Sequence, residues 1–272
     1  MRSLSGFCGL WTAVSFSFCF GEDGIVDQRD FAGSNNACAP ASILNCLKFS
    51  RPELQSVHKN LVGGDDLMKM RFVTDRYFRL RDSVVYPNQP RWGIHGIATG
   101  DLVVGLNELL TDHGLEKFSG SYLDRQPAEE SLAFAKRIHR TMKQSIDRGV
   151  MPILSLRAFW VRRQEERSDQ PAWETGPHHN VVVTEVGAFQ AKSGFLVKAL
   201  DPWEGKEIAI FLYREGAQSF RALKGVEPTG SWLGGRPFLL ASAPEAVTLQ
   251  PATLEWHERW IVTANFLIGD FD

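Results

Sequence analysis

Cysteine is scarce in this chain, with four in 272 residues, and no C-x-x-C pair occurs; the seven histidines show no H-x-x-x-H either. The spacings that build most metal sites are therefore missing, and so is the cysteine density of a disulfide scaffold. Charge of one sign is also lacking. Lysine and arginine number 30 against 32 acidic residues, a net charge of -2, which gives no electrostatic case for nucleic acid or for an acidic membrane surface. No stretch has the composition of a repeat or of a disordered tail, and no apolar run reaches the roughly 20 residues needed to span a bilayer. What remains is an ordinary globular composition, 43% hydrophobic and 23% charged, long enough to bury a full core as one main domain.

The most informative stretch is Asn36-Ala37-Cys38-Ala39-Pro40-Ala41-Ser42-Ile43-Leu44-Asn45-Cys46-Leu47, which places a cysteine where a polar loop turns into an amphipathic helix. Asn35 and Asn36 are good N-cap types, Pro40 is tolerated in a first turn, and Ile43, Leu44 and Leu47 supply a buried face. A thiol there sits at the positive end of the helix dipole, where unpaired backbone N–H groups favour thiolate over thiol and suit an oxyanion. Cys46 lies three residues after Ile43 and reads as core. Eight residues of helix separate it from Cys38 by roughly 12 Å, too far for a disulfide.

A base and an orienting acid occur downstream. Gly176-Pro177-His178-His179-Asn180-Val181-Val182-Val183 opens a β-branched strand on a histidine pair, and Gly194-Phe195-Leu196-Val197-Lys198-Ala199-Leu200-Asp201-Pro202-Trp203 is a second strand ending in an aspartate. The two read as a hairpin turning over Ala188 to Ser193. In an antiparallel pair the start of one strand lies beside the end of the next, so His179 and Asp201 become lateral neighbours, the geometry by which a carboxylate holds an imidazole. Adjacent histidines on a strand point to opposite faces and rarely share a metal ion.

These three blocks, in the order cysteine, histidine, aspartate, resemble the motifs of papain-like cysteine peptidases, closest to the bacteriocin-processing (double-glycine leader) peptidases and their stand-alone relatives. There a Cys-Gly-Pro-Ala-Ser turn opens the first core helix, a Gly-His-x-Val-Val-Val strand carries the base and an Asp-Pro-x-x-Gly strand end carries the acid. The resemblance spans roughly residues 28 to 215 in spacing and implies Cys38 as nucleophile, His179 as base and Asp201 as its orienting residue. His178 and Trp203 become substrate-binding candidates. It implies an α+β papain-like fold, N-terminal helices packed on a C-terminal antiparallel sheet, acting on a peptide or protein substrate without metal or organic cofactor. Two positions depart from the pattern. Ala39 stands where glycine is usual, and Ala32 stands six residues before the cysteine, where the family carries an oxyanion glutamine; Asn36, Asn35 and Gln28 are the replacement candidates. The same triad chemistry also serves acyltransferases and transglutaminase-like enzymes, and a fold that had lost its oxyanion donor would serve as an inactive peptide-binding module.

Met1-Arg2-Ser3-Leu4 and the apolar run Phe7 to Phe20 read as a signal peptide over 1–21, which implies a secreted or periplasmic protein with no stable membrane insertion after cleavage. Residues 22–272 then form the peptidase-like domain, with an extension after about 215. Between the motif blocks, Leu102, Val103, Leu106, Leu109 and Leu110 predict a helix closed by His113-Gly114, and Ala128 to Arg148 predicts another. Val150 to Leu156 reads as a strand. Arg157 to Trp173 reads as a charged loop or a flap carrying Trp160 and Trp173. Arg71, Arg76, Arg79 and Arg81, interleaved with Tyr77 and Phe78, are too few for a nucleic-acid site. In the tail, Phe238 to Leu240 with Trp232 suggests a strand, and Trp256 to Ile268 a closing one.

Overall fold

Ten consecutive residues of the first core helix, Cys38 to Leu47, are buried, which is more than one amphipathic face accounts for. The computed structural model, which describes residues 24–31, 36–93, 96–162, 173–216, 236–250 and 257–271, shows why. This helix, α1 (Cys38–Phe49), is covered by α2 (Pro52–Asn60) and α3 (Asp66–Thr74) and lies against a strand on another side. Ala37, Ala39 and Ala41 keep the contacts close without bulk. The expected signal segment, 1–21, lies outside the described residues, as do Ala32, Trp232 and Trp256.

A short hairpin, β1 (Trp92–Gly93) and β2 (Gly96–Ile97), precedes α4 (Thr99–Asp112), which buries Leu102, Leu106, Leu109 and Leu110 and ends at His113, with Gly114 in the left-handed region at φ 71°. Then come β3 (Ser119–Tyr122) and α5 (Ser131–Asp147). The expected start of α5 at Ala128 is three residues early. Ala128 itself has φ 62° and Glu130 is extended, so neither continues a right-handed helix, and Glu130 serves as N-cap instead.

The remaining strands are β4 (Ile153–Arg162), β5 (Glu174–Val186), β6 (Gly194–Asp201), β7 (Lys206–Tyr213), β8 (Leu239–Ser242) and β9 (His257–Gly269). All pair antiparallel in the order β9-β4-β5-β6-β7-β8, and β8 pairs back onto β9, so these six close into a barrel while β3 adds to β9. The class is α+β, as expected, but the sheet is closed rather than open. The residues after 215 supply the closing strands: β9 runs along β4 from Ile153 to Arg162. Closure removes the two free edges that an open sheet would present.

Strand alternation serves two cores. Ile153, Val182, Leu200 and Phe266 join the helices α1 to α4, whereas Leu154, Val181, Val183 and Ala199 pack with Phe134, Ile138 and Met142 of α5. The sheet thus packs against α1 to α4 on one face and against α5 on the other, and the start of α1 meets it where β6 ends. Among the described residues no helix is long and apolar enough to cross a membrane.

Candidate functional site

Cys38 is the first residue of α1 and has 8% of its surface accessible, whereas His179 and Asp201 have 1% and 0%. Asp201 ends β6, one step beyond the Val182–Leu200 pair, and His179 lies on β5 just past that end. His179 Nε2 donates to Asp201 Oδ1 at 2.6 Å, and the same oxygen accepts the Trp203 backbone N–H at 2.7 Å. With Nε2 committed to the carboxylate, Nδ1 is the nitrogen left for the thiol, and the two side chains are close enough for each to shift the other's proton affinity. The three residues predicted to act together are therefore gathered at one point of the fold.

The thiol sits at an edge of β5 that β6 no longer covers. Val183 sends its N–H to Pro152 on the β4 side. By alternation Asn180 turns its own to the opposite side, toward Cys38. The Asn180 side chain adds a second contact, Nδ2 to Sγ at 3.5 Å, and its Oδ1 is fixed by the Ser155 hydroxyl at 2.6 Å. Ser42, one turn into α1, donates its hydroxyl to Asn180 O at 2.9 Å and locks helix to strand at this point.

These contacts decide the charge state. Burial alone would push the Cys38 thiol up, but the His179 hydrogen bond and charge, followed by the two Asn180 donors, outweigh it and hold the thiol below its ordinary range. Burial likewise disfavours a charged His179, yet Asp201 and then Cys38 raise it to about 9. A thiolate beside an imidazolium is the arrangement this favours at neutral pH. Cys46, by contrast, is pushed up to about 12 by burial, with only the Ser50 hydroxyl 4.0 Å away to oppose it, and it is core.

Of the three oxyanion candidates, Gln28 is the one strapped to the site. Asn45 of α1 grips Val26 through both its N–H (2.8 Å) and its carbonyl (3.3 Å), and Gln28 N donates to Pro202 O at 2.8 Å, directly after Asp201. Gly205, at φ 57°, admits this segment, since a Cβ there would stand 3.0 Å from Ile25 O. Gln28 is consequently 1% exposed and lies between the cysteine helix and the aspartate turn. Asn36 is half-buried just before α1, and Asn35 lies outside the described residues. The N-cap of α1 is Ala37, whose side chain makes no cap hydrogen bond. An alanine, not an asparagine, thus stands at the N-cap, and the first-turn N–H groups of α1 lie at the thiol.

His178 points away from His179 and stands opposite Arg157 on β4; burial, then Arg157 and His179, hold it neutral, well below the usual imidazole range. Trp203 is half-buried on the turn that orients Asp201. Trp173 is buried with Phe159, Val161 and Phe238, and Trp160 Nε1 bonds Glu174 at 2.9 Å, so both tryptophans are tied to the sheet rather than to a loop, and 163–172 lie outside the described residues. Tyr77 and Phe78 are core, while Arg76 pairs with Asp112 and Arg79 with Asp75.

Sequence reasoning passed over Asn180, Ser155, Ser42 and Asn45. One signal was present: an asparagine inside a valine run is a polar group in a strand that must be buried, and a buried amide needs partners. Among the described residues no cluster of three metal-ligating side chains occurs. No protein-family model matches the chain, and no curated protein matches its sequence.

Proposed function

We propose that this chain is a papain-like cysteine hydrolase that cleaves a peptide or amide bond, acting, on the reading of 1–21 as a leader, outside the cytoplasm. The observation that carries it is the grouping of Cys38, His179 and Asp201 at a helix start, with the thiol the most accessible of the three. The packing of α1 to α4 on one face of an antiparallel sheet, with the cysteine on the first core helix and its partners on the strands, supports the papain-like reading of the fold.

In this mechanism the Cys38 thiolate attacks the carbonyl carbon, and the carbonyl oxygen takes the negative charge. First-turn N–H groups of α1 and the Gln28 amide hold that oxyanion. The C–N bond breaks as His179 protonates the leaving amine, which leaves a thioester on Cys38 and a neutral imidazole. His179 then takes a proton from water, hydroxide adds to the thioester, and the acid departs as the thiolate and imidazolium are restored. Asp201 keeps Nε2 protonated and stabilises the imidazolium throughout.

A mixture of internally quenched peptides tests this directly. Cleavage by the native chain and none by Cys38→Ala is the expected result; turnover that survives the substitution overturns it. An added amine separates acceptors, because a transferase forms the new amide where a hydrolase releases the acid. Peptide binding without turnover in the native chain would point to a binding module.

A further inference from the structure

Along β4 and β5, three cross-strand pairs follow one another on the same face: Ile153 with Val182, Ser155 with Asn180, and Arg157 with His178. The first pair lies in the core under the helices, and the second holds Cys38. The third is the next step of about 7 Å along the strands, beyond the start of α1. Tyr122 shares this face, since it pairs with Phe266, which pairs in turn with Ser155. Side chains converge here from three elements. The charges acting on the Tyr122 phenol are those of Arg236 and Arg157 and, against them, Asp124 and Tyr86. Arg236 lies 4.9 Å over the Tyr122 ring and 3.7 Å from Asp124, while Tyr86 reaches in from the helical half.

The strip therefore combines a guanidinium, a neutral imidazole and two phenols one step along the sheet from the pair that holds the thiol. Burial pulls the Arg157 guanidinium down to about 10, which still leaves it charged at neutral pH. A half-buried cation on the same sheet face as the pair that holds the nucleophile, flanked by neutral donors, suits the two oxygens of a carboxylate.

We propose that Arg157 is a specificity-determining residue that seats a carboxylate of the substrate beside Cys38, with His178 and Tyr122 as neutral flanking donors. The inference rests on Cys38 being the nucleophile. The carboxylate is either an acidic side chain or a chain-terminal α-carboxylate.

Three iodoacetyl reagents test it, each alkylating Cys38 by forming the S–C bond as iodide leaves: iodoacetyl-glutaminamide, which is neutral, and its two acids, with the carboxylate on the side chain or at the α position. The expected result is that at least one acid reacts about tenfold or more faster than the neutral amide, and which acid does so names the source. Arg157→Met should bring that ratio to within about twofold of unity while the neutral reagent's rate stays unchanged. Arg157→Lys, which keeps the charge and loses the fork, should give an intermediate ratio, and added salt should shrink the native ratio. A native ratio of unity for both acids, or a preference that survives Arg157→Met, overturns the inference. If instead the neutral reagent fails to alkylate Cys38 at all, the nucleophile reading itself fails, and the inference with it.

Discussion

His179 and Asp201 bond at 2.6 Å on a diagonal: Asp201 lies one step past the Val182–Leu200 pair, and His179 lies two residues beyond the position opposite it. A diagonal contact is within reach of an imidazole, whereas a direct cross-strand partner would leave no space at the β5 edge for Cys38. The Trp203 N–H on the same carboxylate oxygen fixes its direction. Asp201→Asn retains the shape and removes the charge that raises His179. We expect hydrolysis to fall by at least about 100-fold, the lower end of what a positioned base supplies, and the alkaline limit of hydrolysis to move down from about 9. Rates measured across pH on the folded variant check both.

Gln28→Ala should separate the oxyanion from the nucleophile. Turnover should drop by about 100 to 1,000-fold, the usual loss for one such donor, while iodoacetamide alkylation of Cys38 at neutral pH stays within about twofold of native. Equal losses in both assays would mean that the segment strapped by Asn45 and Pro202 holds the site's shape instead.

Asn180→Ala removes the side-chain donor to Cys38 and leaves the backbone donor in place. The pH at which the thiol ionises should rise, in the same direction as for His179→Ala but by less. The buried Ser155 hydroxyl loses its acceptor, which should cost about 1–3 kcal/mol of stability by denaturant unfolding.

Much of this site was legible because its signals are local. A cysteine before a helical apolar pattern, a histidine opening a valine run and an aspartate closing the next strand each lie within a dozen residues, and the hairpin turn brings two of them together. Barrel closure was not legible. It depends on β9 pairing with β4 from about a hundred residues away and with β8 at the same time, and nothing in either strand's own sequence names its partner. The burial of α1 on all sides was hidden for the same reason, since a helix pattern reports one face and α2, α3 and β5 supply the others. Arg157 read as the first residue of a charged loop, although β4 carries it into the sheet and sets it opposite His178.

Gly105 sets packing against propensity. On α4 it lies against the Phe78 ring, which a Cβ would strike, although alanine is the better helix former by about 1 kcal/mol. Overpacking typically costs about 1–3 kcal/mol, so Gly105→Ala should lower stability on balance. A rise in the unfolding midpoint would show that Phe78 repacks without strain.

Asp66 ties α3 to α1 through Lys48 at 2.8 Å and to α2 through His58 at 2.9 Å. Burial opposes its charge, but His58 and then Lys48 prevail and hold the carboxyl well below its usual range. A depressed carboxylate contributes stability that is present above the unfolded value of about 4 and lost as pH falls through the lower native one. Asp66→Asn should therefore destabilise the chain at neutral pH and flatten the loss of stability on acidification, as followed by denaturant midpoints from neutral to low pH.

The account rests most on the thiolate–imidazolium pair, and the rate of iodoacetamide alkylation at Cys38 across pH 4 to 9, with sites assigned by peptide mass, measures it directly. In the native chain Cys38 should react well below the pH of about 8.5 at which a free thiol ionises, and Cys46 should stay unmodified. In His179→Ala, burial acts without its main counterweight, and reactivity at acid pH should disappear. A Cys38 that alkylates only near the ordinary thiol range, equally with and without His179, would contradict the pair and with it the proposed hydrolase.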